Sequence, residues 1–244
     1  MGEIERLITA GCSFTKHCWP SWADYLGKHF VWHKNLAVGG SDNANIARSI
    51  IKNAKSNDVV VVMWTGYDRL NFFNDNKWEY AGSLTSNKDF FTNHYSQVER
   101  FTTTMDYVQM VDNHSRLKGY KCYHFNAFNW LKAEKHLRFH PEMPIIYDNY
   151  TIENSYLNEI SLHEFQEKRN EIFEIDHKYI TVPGEGTELE LDHKYIQKDT
   201  HPTPITHWNY LKEIIAEKIN INLDNTLEST VQLDQNRVLA GDID

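Results

Sequence analysis

The chain has 244 residues, 41% of them hydrophobic and 24% charged, enough for one large α/β domain with an ample core. A formal net charge of −9 argues against general binding to a nucleic-acid backbone or an anionic membrane. There is no apolar run of the roughly 20 residues a spanning helix needs, no basic-then-apolar leader, and the three cysteines (Cys12, Cys18, Cys122) lack metal-type spacing, which together fit a reduced, cytoplasmic setting.

Residues 6–10 read as a short buried strand that stops at Ala10-Gly11 and hands over to Cys12-Ser13. "WPSWADYLGKHF" (19–30) follows as a helix with Pro20 near its start, and "VWHKNLA" (31–37) as a second strand broken by Gly39-Gly40. "SDNANIARSIIKNA" is expected to be helical, with Ser41 or Asp42 as N-cap and Ile46, Ile50 and Ile51 on one face. "DVVVVMW" (58–64) is continuously apolar and β-branched, as a central parallel strand covered on both faces should be. Residues 65–95 form a long polar and aromatic segment of the kind that usually serves function.

A helix is expected from about His94 to Lys118, burying Val98, Phe101, Met105 and Val108 and ending at a C′ glycine, Gly119. "YKCYHFNAF" (120–128) is the next strand, and 155–175 contains helical signals. "DHKYI" occurs at 176–180 and again at 192–196, which reads as a two-stranded ribbon around a Gly-rich turn, with metal binding by the Asp-His pairs the minor reading. A last helix spans about Pro204 to Asn220, and 221–244 is a polar, acidic tail. Strand and helix alternate at lengths that specify a parallel sheet with helical crossovers. The organisation expected is one domain over 1–220, with insertions near 65–95 and 129–198.

Open parallel sheets place ligands beyond the carboxyl ends of their strands. Three segments lie there: Gly11-Cys12-Ser13, "NLAVGGSDN" and "WTGYDR". A fourth, "KDTHPTPITHWNYL", precedes the last helix. His201 sits in a turn that Thr203 can cap and Pro204 can open, a rigid mount for a general base, and Asp199 two residues upstream can orient the imidazole. Glycines after the second strand let backbone N–H groups approach a developing oxyanion.

These four blocks, in this order and at these element boundaries, resemble the SGNH (GDSL-type) hydrolases. "GCSFT" looks like their nucleophile block, "NLAVGGSDN" their second block, "WTGYDR" their GxND block and "DTHPT" their final block. The resemblance spans 7 to about 215. It implies a flavodoxin-like three-layer α/β/α sandwich with a central parallel sheet, and ester or acyl hydrolysis without metal or cofactor. By it Ser13 is nucleophile and one oxyanion donor, Gly40 the second donor, His201 the base and Asp199 its partner. The departures are Cys12 before the serine, Asp68 where the family has a donating Asn, and D-x-H in place of D-x-x-H. An ionised carboxylate accepts hydrogen bonds only, so Asp68 would repel an oxyanion. The G-x-S-x-G elbow of the α/β-hydrolases is a poorer match, since position 15 is Thr.

Plainer readings stand beside these. Ser13 alone reads as a helix cap, Cys12 as a core residue, His207 as a residue inside the last helix, and His136 and His140 as surface residues. Trp64, Tyr67, Phe72, Phe73, Trp78 and Tyr80 either floor an acyl or sugar site or pack the loop. The function expected is a serine esterase for small-molecule or carbohydrate acyl esters, carbohydrate deacetylation being one form of it. The alternative is a binding or structural module that keeps the fold with little turnover. A nucleotide-binding flavodoxin-like protein ranks third, because GxGxxG and GK[ST] are absent.

Overall fold

The computed structural model describes residues 6–74, 77–82, 96–131, 140–169, 175–177, 197–199 and 201–240, with 72–74, 77–82, 175–177 and 197–199 described by backbone alone. Strand β1 (Arg6–Ala10) pairs in parallel with β2 (Trp32–Asn35) on one side and β3 (Val59–Trp64) on the other, and β3 pairs in parallel with β6 (Lys121–Asn126). The order is β2-β1-β3-β6. Beyond β6, His124 N donates to Asn154 O and Tyr156 N to His124 O, so a short stretch around Ser155 extends the sheet.

Alternation along the strands sends residues to opposite faces. Leu7, Val59, Val61, Met63 and Phe125 face one apolar layer with helices α1 (Trp22–Gly27) and α5 (Leu162–Lys168). In the same layer lie α6 (Pro204–Tyr210), a π-helical turn (Leu211–Ile215), α7 (Ala216–Ile219) and α8 (Leu227–Leu239). Ile8, Ala10, Val60, Val62 and Trp64 face the other layer, with α2 (Asn43–Asn53), α3 (Gln97–Lys118) and α4 (Met143–Asp148). This is the three-layer α/β/α arrangement with a central parallel sheet expected from the sequence. Every residue of β3 is buried, as its unbroken apolar run requires.

The ends of the elements follow local chemistry. Helix α1 begins later than expected, at Trp22, because Ser21 and Asp24 form a reciprocal capping box. Asp42, not Ser41, caps α2 by accepting from Asn45 N. Helix α3 ends at Gly119, whose φ of 75° is the left-handed conformation a C′ glycine supplies. Of its expected buried stripe, Phe101, Met105 and Val108 are buried and Val98 is half-buried.

Within 65–95, β4 (Leu70–Asn74) and β5 (Lys77–Gly82) form an antiparallel hairpin. Strand β7 (Ile175–His177) pairs antiparallel with β8 (Gln197–Asp199), in the register Ile175↔Asp199, so the partner strand lies just after the second "DHKYI" copy and not within it. The first "DHKYI" copy thus begins in β7, whereas the second, 192–196, lies outside the described residues. The segment expected to be a polar tail contains α8, which buries Val231 and Val238. Among the described residues no helix is long and apolar enough to cross a membrane.

Candidate active site

Ser13 lies in the turn that follows β1. Thr15 N (2.9 Å) and Lys16 N (3.1 Å) both donate to Cys12 O, closing the turn around the serine. Ser21 Oγ and Asn35 Nδ2 donate to Thr15 O at 2.7 and 3.1 Å, which anchors the turn from α1 and from β2. A Cβ at Gly11 would overlap the Thr15 hydroxyl and lie 2.9 Å from Met63 O, so only glycine fits between this turn and β3. Cys12 points into the core, fully buried. Ser13 is not the cap of α1, since Ser21 fills that position.

His201 comes from the opposite end of the chain, in the turn before α6. Its Nε2 is 2.8 Å from Ser13 Oγ, across 188 positions of sequence. That distance falls within the reach a general base requires. The ring is also flanked. His17 stacks on it at 4.3 Å between centroids and 18° between planes, and Phe14 approaches at 5.2 Å. Trp19 Nε1 donates to Pro202 O at 2.8 Å, holding the residue next to the histidine. Pro204 opens α6 as expected, and Thr203 occupies the cap position. The Thr203 hydroxyl pairs with Thr206 Oγ1 rather than with a backbone N–H, a departure from the expected cap.

The glycine turn is clipped to β1, the strand that leads into Ser13. Leu36 N donates to Thr9 O and Val38 N to Gly11 O, so the backbone pairing of β1 and β2 runs on past both strand ends. Ser41 N then donates to Val38 O, closing a turn in which Gly40 has φ 75°. A type II turn needs such a φ at its third residue. Among the described residues neither Ser13 N–H nor Gly40 N–H has a hydrogen-bond acceptor. The backbone of Asp199 is placed in β8, two residues before His201, and its side chain is outside the described set.

Asp68 is buried, at 6% exposure, in the loop after β3. That loop is fastened to the start of α2. Thr65 N donates to Asn43 Oδ1 while Asn43 Nδ2 donates to Thr65 O, and Asp42 and Asn71 bond to each other's backbone N–H groups. Trp64 and Tyr67 are buried in the core, so for them the packing reading holds. Phe72, Phe73, Trp78 and Tyr80 lie in β4 and β5, with side chains outside the described set. His136 is also outside it.

His207 is inside α6, as expected, and fully buried. Neither ring nitrogen has a hydrogen-bond partner among the described residues. Burial, and secondarily the nearby His17 and His201, push its pKa well below the usual histidine range. It is therefore held neutral beside the site. His17, Trp19 and Phe14 were not singled out by sequence reasoning. The available signal was the density of rings in "SFTKHCW", directly after the serine.

A hydroxyl in hydrogen-bond contact with an imidazole nitrogen can lose its proton to that nitrogen as the oxygen attacks an electrophile. Such chemistry also requires backbone N–H donors for the developing oxyanion.

No family model matches the chain, and no curated protein does. Eleven chains of solved structures match it. One is the protein YxiM from Bacillus subtilis, at 13% identity and a TM-score of 0.39, covering 68% of this chain and 45% of that one. The present chain thus spans under half of YxiM. Another is a phospholipase A1 from Streptomyces albidoflavus NA297, at 11% identity and a TM-score of 0.39, covering 88% of this chain and 99% of that one.

Proposed function

We propose that this chain is a serine acyl hydrolase of SGNH type, acting on small acyl esters, acylated carbohydrates among them. The observation that carries the reading is the 2.8 Å contact between Ser13 Oγ and His201 Nε2, made by residues 188 positions apart. Sequence-local preference does not create such a contact, and helix capping does not use it.

In this reading His201 takes the Ser13 proton as Oγ attacks the acyl carbon, and the Ser13 and Gly40 N–H groups receive the oxyanion. The imidazolium then gives its proton to the leaving alcohol. Water, activated by the same imidazole, releases the acid and restores Ser13. Asp199 orients the imidazole through its other nitrogen and balances its charge. These steps use side chains, backbone and water alone, on a single α/β domain to which α8 also belongs. The second reading, an SGNH-like module with little turnover, is favoured by the buried Asp68 where the family places a donating Asn.

A fluorophosphonate probe separates the two. The wild type should be labelled covalently, and Ser13→Ala should lose all labelling while unfolding within a degree or two of the wild type. Labelling that survives in Ser13→Ala, or a folded wild type that takes no label, would overturn the hydrolase reading.

A further inference from the structure

Resting on that reading, we infer that His17 is the positioning residue of the base: its ring holds the His201 imidazole in line with Ser13 while the proton moves. The Ser13–His201 hydrogen bond cannot do this alone, because it breaks in every cycle when Oγ becomes an acyl ester. In that reading Asp199, at the ring's other nitrogen, fixes one atom of the imidazole; a further restraint on the ring face, independent of the serine oxygen, keeps it from swinging about its side-chain torsions.

His17 supplies it. Its plane lies 18° from that of His201 with centroids 4.3 Å apart, a stacked contact over the ring face. The contact is to the ring face, so it leaves the Nε2 bond to Ser13 Oγ in place. His17 is itself braced edge-on by Trp19, at 4.2 Å and 81°. Trp19 is 3% exposed, packs on Val238 of α8, and donates its indole N–H to Pro202 O. The contacts form a closed circuit from His201 through His17 and Trp19 to Pro202 and back along the chain. Two of these positions, His17 and Trp19, belong to the segment that also carries Ser13, so nucleophile and brace sit on one short stretch of backbone. The flat face is what the arrangement uses, which predicts that another aromatic ring can replace the imidazole.

The test compares His17→Phe and His17→Tyr, which keep a flat ring, with His17→Leu, which keeps apolar bulk without one. The readouts are the second-order rate of fluorophosphonate labelling, and kcat and KM on a short acyl ester. A misplacement of about 1 Å can cost about 10² in rate. His17→Leu should therefore lower kcat and the labelling rate by about tenfold or more with KM within about twofold, while a ring variant stays within about threefold of wild type. Thermal unfolding of each variant separates this from loss of structure, because a merely structural role would move rate and Tm together in all three. If folded His17→Leu labels at the wild-type rate, or both ring variants fail while folded, the positioning role is overturned and the hydrolase reading survives. If the folded wild type takes no label, both fall.

Discussion

His207 gives a prediction whose size follows from where the ring lies. The imidazole is fully buried and neutral in the folded chain, whereas an unfolded histidine titrates near 6.5. His124, in β6, is in the same position: fully buried, with its pKa lowered by burial to about 3. Its Nδ1 accepts from Trp64 Nε1 at 3.1 Å. Both groups have folded-state values below the unfolded one. As pH falls the unfolded chain binds protons first, and stability is lost from about pH 6.5 down to the folded-state pKa. Each such ring costs about 1.4 kcal/mol per pH unit, so about 2 kcal/mol between pH 7 and pH 5. His207→Leu removes one of the two contributions and also two buried nitrogens that lack partners among the described residues. At pH 7 the variant should be close to wild type in stability, since lost packing is offset by about 1–3 kcal/mol of relieved desolvation. At pH 5 it should be more stable than wild type by about 2 kcal/mol beyond any difference at pH 7. For a chain of this size that is a further Tm gap of about 4–8 °C. Calorimetry or far-ultraviolet circular dichroism at the two pH values measures it. An equal fall in Tm for wild type and variant would refute the claim that His207 is buried and neutral.

Two further outcomes bear on the site. Gly11→Ala pushes a methyl group against Thr15 and to 2.9 Å from Met63 O; it should cost about 1–3 kcal/mol and slow fluorophosphonate labelling by about 10², and an unchanged Tm with an unchanged labelling rate would show that the turn has room to spare. Asp68→Asn should raise esterase turnover about tenfold or more, given that one oxyanion donor is worth about 10²–10³, whereas a fall in turnover in steady-state assays would assign Asp68 to holding the loop or the substrate instead.

The parts of this architecture that the sequence shows are those governed by short-range rules. The unbroken run Val59–Trp64 can only be a strand covered on both faces, and Gly119 can only follow a helix end. Ser13 and His201 were legible through the order of four short blocks, not through any single one. What stayed hidden depends on contacts between distant residues. The length of α1 was overestimated because the Ser21–Asp24 box lay inside a stretch read as continuous helix. Helix α8 was missed because its sequence is polar, with few inward residues; its place comes from packing on α6, where Gln235 Oε1 accepts from Ile205 N. His17 carried no motif, since its role is a ring face offered to a residue 184 positions away. The Asn43–Thr65 pair is likewise a meeting of two loops whose residue types are common in any loop.

The distance in sequence between Ser13 and His201 has a consequence for the chain while it is being made. The four strands of the sheet that presents Ser13 have all been made once β6 ends, at Asn126. His201 emerges from the ribosome only after about seventy-five further residues, a delay of roughly 4–15 s at about 5–20 residues per second. Throughout that interval the nascent chain carries a serine with no base beside it. On the reading proposed above, Ser13 therefore waits for its base until the segment before α6 has been made.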